Sequence, residues 1–343
     1  MQKYPFQINT KILRLTAEIS ELVGSMSTLT EAARSPQLRR SNRIKTIYSS
    51  LAIEQNTLSL EQVTAVVSGK RVLAPPKDIA EVQNAFEIYD RLDELNPYSI
   101  DDLLAAHSVM VRGLRDDAGD FRSRPVGVVD SQGNILHFGT LPAYVPQLVE
   151  ELLDWTEHNE NPLLIKSCVF HYEFELIHPF SDGNGRVGRL WHTLLLSKWN
   201  SLFAWVPVES IIHDRQSEYY QAINNANNAA DSTCFIDFML SAIKDALLDV
   251  SSQPSEVKPK AESREQAILD YLSEHGDISN LDVRELLSVS PATANRVLNE
   301  MVNKELIFRF RKEQKRLIEI LLTSRSCAFI LKTLELERVT IAL

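Results

Sequence analysis

Cysteine is scarce in this chain: Cys168, Cys234 and Cys327 are the only three in 343 residues, odd in number and far apart. A disulfide framework is therefore not expected, and a reducing compartment, the cytoplasm, is. Glycine is scarce too, at 11, so little interrupts the helical periodicity described below. No run approaches the roughly eighteen apolar residues of a membrane span. The opening MQKYPFQINTKIL has neither the compact apolar run nor the small-residue cleavage site of a signal peptide. Basic charge is in deficit, with 36 Lys+Arg against 46 Asp+Glu and a net charge of −10. That excludes coating of nucleic acid through bulk charge, though not through a local basic patch. Also missing are a His-Glu-x-x-His zinc helix, a Cys-x-x-Cys pair, a GxxxxGK[ST] phosphate loop and any solenoid-length repeat. What remains, 44% hydrophobic and 24% charged, is a globular chain long enough for roughly two or three domains.

Apolar residues recur at helical spacing from Asn9 to about Val23 (Ile12, Leu13, Leu15, Ile19, Leu22). Helices are expected over 36–51 with Ser35 as N-cap, 59–67 ending at Gly69, 77–95, and 100–111 behind a Ser99 cap. Two short β-branched or apolar runs, Val128-Val129 and Ile135–Phe138, flank Asp-Ser-Gln-Gly-Asn and predict a small hairpin. Helical patterns return at 145–158, 162–177 with Pro162 in the first turn, and about 185–200. Residues 251–263, SSQPSEVKPKAES, read as a linker. Beyond it the pattern is helix 265–274, helix 281–287, turn 288–290, helix 291–304, then strands 306–310 and 316–320, a winged-helix order.

One segment carries chemistry: His178-Pro179-Phe180-Ser181-Asp182-Gly183-Asn184-Gly185-Arg186-Val187-Gly188-Arg189, set between two helices. Gly-Asn-Gly opening a helix lets backbone N–H groups converge on an anion at its positive end. Arg186 and Arg189, three apart, share a face and can grip phosphate oxygens with forked hydrogen bonds. Asp182 is a hard oxygen ligand suited to Mg²⁺, and His178 could take a proton from an attacking hydroxyl. His107, His158, His192, His213 and His275 look like lone surface or core histidines.

This segment resembles the signature of the Fic family, His-x-Phe-x-[Asp/Glu]-Gly-Asn-Gly-Arg-x-x-Arg, at every fixed position, and His171–His178 upstream looks similar to the family as well. The resemblance implies a mainly α fold: a Fic-type helical core with a β-hairpin flap, here joined to a C-terminal winged helix. It implies transfer of AMP from ATP, with Mg²⁺, to a hydroxyl of a target protein or of the chain itself. His178 would be the base, Asp182 the Mg²⁺ ligand, and Phe180 the anchor of the loop. Gly183, Asn184, Gly185, Val187 and Gly188 would border the phosphates, with Arg186 on the pyrophosphate and Arg189 on the γ-phosphate. His137 and Phe138 of the hairpin would lie near a target peptide added as a strand. Ser50–Glu54 resembles the family's inhibitory motif, [Ser/Thr]-x-x-x-Glu-[Gly/Asn], with Gln55 departing from its last position. A Glu54 carboxylate paired with Arg189 would occupy the guanidinium that the γ-phosphate needs. Residues 218–227 resemble the stretch that borders adenine, Tyr220 covering the base and Asn227 offering its amide. Fic proteins often associate, so a homodimer is among the expectations.

The resulting division is a helical region 1–95 with the inhibitory motif, a catalytic core 96–250, the linker 251–263, a winged helix 264–320 and an apolar tail 321–343. DNA contact through 291–316 is a further expectation: Asn295, Arg296 and Asn299 would be exposed, and 304–316 holds six Lys/Arg against two Asp/Glu. Three alternatives stay open at this point. They are removal of AMP, transfer of another nucleotide or phosphate-containing group, and a DNA-binding regulator that senses nucleotide.

Overall fold

Ile12, Leu15, Ile19 and Val23 are all buried, and their three-and-four spacing sets the inner face of α1 (Thr10–Thr28). The same logic builds α2 (Pro36–Ile53), α3 (Leu60–Val67), α4 (Pro76–Asp90) and α5 (Ile100–Met110). After a pair of short strands come α6 (Val145–His158), α7 (Leu163–Ile177), α8 (Asn184–Trp199), α9 (Val208–Asp214), α10 (Gln216–Ala229) and α11 (Thr233–Ser252). This is a computed structural model describing residues 4–28, 36–129, 135–252, 262–275, 278–287, 289–304, 306–311 and 318–322. The chain divides into two compact units, 1–254 and 255–343.

In the first unit α7 is buried nearly all round and packs against α6, α8 and α11. A helix that turns no polar stripe to solvent belongs at the centre. Helix α2 lies against α4, α8 and α9, and α1 lies along α11, so one hydrophobic core runs through all of them. Among the described residues, no helix is long and apolar enough to cross a membrane.

Helix ends follow local chemistry. Ser59 caps α3 through the Gln62 backbone N–H while the Gln62 side chain returns to the Ser59 N–H, a capping box worth about 1 kcal/mol. Ser99 caps α5 through the Asp102 N–H, as its position predicts. Ser35 lies outside the described residues. Pro162 turns out to be the N-cap of α7 rather than part of its first turn, with ψ at 140°. The helix expected over 77–95 stops at Asp90 and continues as one 3-10 turn, Leu92–Glu94. Helix α11 runs to Ser252, two residues into the stretch read as linker.

Strands β1 (Gly127–Val129) and β2 (Ile135–Phe138) pair antiparallel, Gly127 opposite Phe138 and Val128 opposite His137. Their connecting turn, 130–134, and the His137 and Phe138 side chains lie outside the described residues. In the second unit α12 (Glu262–His275), α13 (Asn280–Leu287) and α14 (Pro291–Asn303) enclose Ile268, Leu272, Val283, Ala294, Leu298 and Met301. Ser290 caps α14 through the Thr293 N–H. Strands β3 (Ile307–Arg311) and β4 (Ile318–Leu322) complete it, Arg309 opposite Ile320. The second strand sits two residues later than the pattern suggests. The expectation for 321–343 falls outside the described residues beyond Leu322, and so does Cys327.

Candidate active site

Helix α7 ends at His178 in a left-handed conformation, φ 52° and ψ 63°, which swings the chain into the loop ahead of α8. A non-glycine residue there is strained and must be held by its surroundings. Buried Arg122 does much of the holding: its Nε donates to the His178 carbonyl at 2.6 Å and its Nη2 to the Ile177 and Thr140 carbonyls. Its own backbone N–H donates to the Pro179 carbonyl at 3.0 Å. The expected anchor, Phe180, is fully buried, its ring stacked on His107 at 3.7 Å between centroids. His107 is thus no lone histidine, because its Nε2 also lies 3.1 Å from the Asp182 carbonyl oxygen and its Nδ1 accepts from the Gly119 N–H.

The loop closes on Asn184 and Gly183. The Asn184 side chain takes both backbone groups of Phe180, at 2.8 Å each. The side chain of Asn184 thus shapes the loop, at the position expected to border the phosphates. Gly183, at φ 83°, makes the left-handed step into α8, and a Cβ there would press on Val111. Val187 is the fourth residue of α8. Its side chain is core and its N–H donates to the Gly183 carbonyl, so it anchors the first turn. Gly188 lets α8 approach α7, since a Cβ would lie 3.1 Å from Glu175 Oε1.

Both arginines are buried and paired. Arg186 donates to Glu81 at 3.2 Å and to Asp182 at 3.1 Å. Glu81 in turn accepts from Asn56 at 2.8 Å, which fixes the turn after α2. Arg189 donates through Nη2 to Glu54 Oε1 at 2.7 Å and to the Ser50 carbonyl at 2.9 Å, and through Nε to Ser50 Oγ at 3.0 Å. Burial opposes the Arg189 charge, but Glu54, Tyr219 and Glu175 together outweigh it and hold the pKa above the usual value. Glu54 sits just past the end of α2 with its carboxylate directly against Gly185, where an added Cβ would have to displace Glu54 Oε1 and press on Arg189 Nη1. A carboxylate therefore already occupies the space beside the first turn of α8, the kind of site that receives a phosphate.

Gln55 follows with φ 67°. Glycine and asparagine reach that region easily, so the family's preference at this position has a conformational cause. Glutamine adopts it at a cost of about 1–2 kcal/mol.

Asp182 keeps its side chain 45% exposed while Oδ1 serves Arg186 and the Gly183 N–H. A single accessible carboxylate fits the way Mg²⁺ binds, through few protein ligands plus substrate phosphates. Among the described residues no group of three or more His, Cys, Asp or Glu is gathered for a metal. Tyr219, not Tyr220, is fully buried, bonded to His171 Nε2 at 3.1 Å. Tyr220 is half-buried, and Glu54 is among the charges that raise its phenol pKa after burial itself. Asn227 accepts from Tyr172 at 2.9 Å and keeps a buried amide nitrogen without a partner.

Glu175 stands in the stretch upstream of His178 but has no role of its own in the sequence reading. It lies one helical turn before His178, its Oε2 3.9 Å from His178 Nδ1, and burial pushes its pKa up to about 7. Beside it burial pushes His171 well below the usual imidazole range and His192 down to about 3. His192 is another histidine that proves to belong to a cluster.

The geometry defines a helix N-terminus built to hold an anion, flanked by a histidine and two paired arginines. Residues 95–196 match the model of the Fic/DOC family, and 263–307 match a winged helix-turn-helix DNA-binding model. A crystal structure of a Fic family protein from Desulfovibrio desulfuricans G20 is 42% identical, with a TM-score of 0.76, covering 94% of this chain and 99% of that one. The chain belongs to the Fic family. Protein adenylyltransferase fic-1 of Caenorhabditis elegans is 30% identical over 235 residues, 64% of this chain and 43% of that protein. Protein adenylyltransferase Fic of Nematostella vectensis is 30% identical over 205 residues, 56% of this chain and 45% of that protein. The chain thus spans less than half the length of these two relatives.

Because Glu175 titrates near 7 when folded and about 4.3 when unfolded, the folded state holds the extra proton between those values. Its contribution to stability is full below about pH 4 and falls as pH rises through 7. Glu175→Gln, which cannot titrate, should therefore gain about 1–3 kcal/mol relative to wild type between pH 5 and pH 8. Denaturant unfolding at both pH values reads this directly; an offset that does not change with pH contradicts it.

Proposed function

We propose that this chain transfers AMP from ATP to a Ser, Thr or Tyr hydroxyl of a protein, itself included, and that Glu54 holds the activity down. The observation that carries the reading is the Glu54 carboxylate, seated against Gly185 and bonded to Arg189 at 2.7 Å. A carboxylate already stands beside the first turn of α8, and it engages the guanidinium that the γ-phosphate requires. The names of the relatives above support AMP as the transferred group.

In this reading the target hydroxyl oxygen attacks the α-phosphorus in line, its proton passes to His178 and the bond to pyrophosphate breaks. His178 Nδ1 lies 3.3 Å from the Glu175 carbonyl oxygen, which makes Nε2 the proton acceptor. Arg186 and Arg189, once turned from their carboxylates, neutralise the departing charge. Asp182 would hold Mg²⁺, which would supply positive charge to offset the charge of the leaving group. The α8 N-terminus supplies backbone N–H groups at Gly185. Tyr220 and the unpartnered Asn227 amide border adenine. Strand β2, with His137 and Phe138, receives the target peptide as an added strand. Residues 1–95 form the regulatory region of the 96–250 core, and the cytoplasm is the compartment that scarce cysteine favours.

Transfer from α-³²P-ATP onto the protein and a cell lysate tests this. Glu54→Gly should label at least tenfold more than wild type, and Glu54→Gly with His178→Ala not at all. If every variant stays unlabelled while ATP binds, AMP transfer falls, and other nucleotides or AMP removal replace it.

A second observation favours DNA for the winged helix, 264–320, through 291–316. Helix α14 buries Ala294, Val297, Leu298 and Met301 and exposes Asn295, Arg296 and Asn299 on the other side. The basic stretch 312–317 lies outside the described residues. Gel shift of mixed genomic fragments at low salt should show binding that weakens steeply with salt and with Arg296→Ala, but not with His178→Ala. No shift at low salt contradicts it.

A further inference from the structure

Where Glu54 stands is decided by the turn behind it. The Gln55 N–H donates to the Ala52 carbonyl at 3.0 Å and the Asn56 N–H to the Leu51 carbonyl at 3.1 Å, the two bonds that close a helix over a left-handed residue, here Gln55. Glutamine disfavours that conformation, so the turn needs fastening from outside. Helix α4 supplies it. Asn56 Nδ2 donates to Glu81 Oε2 at 2.8 Å and to the Asp78 carbonyl at 3.1 Å, while Asn56 Oδ1 accepts from the Leu58 N–H at 3.1 Å. The Thr57 N–H donates to Asp78 Oδ2 at 3.2 Å, and the Thr57 hydroxyl bonds the same oxygen.

Glu81 has a second attachment. Its other oxygen, Oε1, accepts from Arg186 Nη1 at 3.2 Å. One buried carboxylate therefore joins the turn that carries Glu54 to the arginine that serves pyrophosphate in the proposed function. Arg186 is not fully satisfied in this arrangement: its Nε is buried with no hydrogen-bond partner among the described residues, and a phosphate oxygen would improve its bonding. A phosphate that draws Arg186 away leaves Glu81 buried without its cation, which is costly. Lys77, exposed one turn earlier on α4 with Nζ 3.9 Å from Oε1, is the alternative partner. Turning Glu81 outward to it takes Oε2 off Asn56.

We propose that Asn56 and Glu81 are positioning residues for autoinhibition: they latch the Glu54 turn onto the carboxylate that holds Arg186, so that both arginines are released together. This rests on the reading of Glu54 given above. Asn56 touches neither Arg186 nor Arg189, and its loss frees Glu54 without helping the chemical step. By linkage, nucleotide phosphate at Arg186 loosens the turn, and a loosened turn favours phosphate at Arg186.

The test is self- and lysate-labelling by Asn56→Ala and Asn56→Asp, each alone and with Glu54→Gly, together with backbone hydrogen exchange with and without saturating ADP. Asn56→Ala should raise labelling about three- to tenfold over wild type, and Asn56→Asp, which sets a second carboxylate against Glu81, should raise it more. In the Glu54→Gly background neither should change labelling by more than about twofold. ADP carries a phosphate for Arg186 but no γ-phosphate for Arg189. It should speed exchange of the Gln55 and Asn56 amides several-fold in wild type and add nothing in Glu81→Ala, where the joint is already gone. The proposal is overturned if Glu54→Gly activates while both Asn56 variants, folded by thermal melting, label no better than wild type, or if they activate the Glu54→Gly enzyme further. The wild-type exchange needs no variant: bound ADP that leaves both amides unchanged overturns the joint with Arg186. If Glu54→Gly itself is no more active than wild type, the reading of Glu54 fails and this proposal falls with it.

Discussion

Arg189 is a guanidinium with almost no exposed surface, and a buried charge of that kind stands only while something of opposite sign faces it. In this state the partner is Glu54, delivered from the end of another helix with 36% of its side chain exposed. The geometry of the first unit follows from that need. Helix α2 must lie where its last turn reaches α8, so it packs on α4, α8 and α9 in a core shared with the rest of the unit. Nucleotide, in the proposed function, is a competing anion for the same cation. Regulation and substrate binding then become one electrostatic exchange at a single side chain.

The loop on the other side of that exchange is held from several directions. Arg122 holds three carbonyls at residues 140, 177 and 178, Asn184 both backbone groups of Phe180, and His107 stacks on the Phe180 ring while contacting the Asp182 carbonyl. Left-handed backbone at His178 persists because these contacts over-determine it. Held this way His178 cannot drift, and in the proposed function that fixed geometry serves the transfer by proximity.

Much of this was legible in residue order. Helical spacing located α1 through α8 to within a few residues where it was read, with the longest overrun at the end of α4. Ser59 and Ser99 marked helix starts because a cap is local chemistry, set by a hydroxyl and an amide three residues on. The loop from His178 to Arg189 announced itself because its contacts are also short-range in sequence. What stayed hidden lies across the fold. Glu81, 105 residues from Arg186, and Arg122, 56 from His178, look like ordinary surface charges until packing brings them in. The loop-shaping bonds of the Asn184 side chain were also hidden, because an amide suits a phosphate and a backbone loop equally and only the fold shows the second. The departure at Gln55 carried real information about backbone angle, readable only once φ was known.

The central claim is that Glu54 and the γ-phosphate compete for Arg189. Calorimetric titration of wild type and Glu54→Gly with ATP and with ADP tests it most directly, because the two ligands differ by that phosphate alone. The account predicts that ATP binds little better than ADP in wild type, and about tenfold or more better once Glu54 is gone, about 1.4 kcal/mol released at one site. An ATP-to-ADP ratio that is the same in both proteins would contradict it.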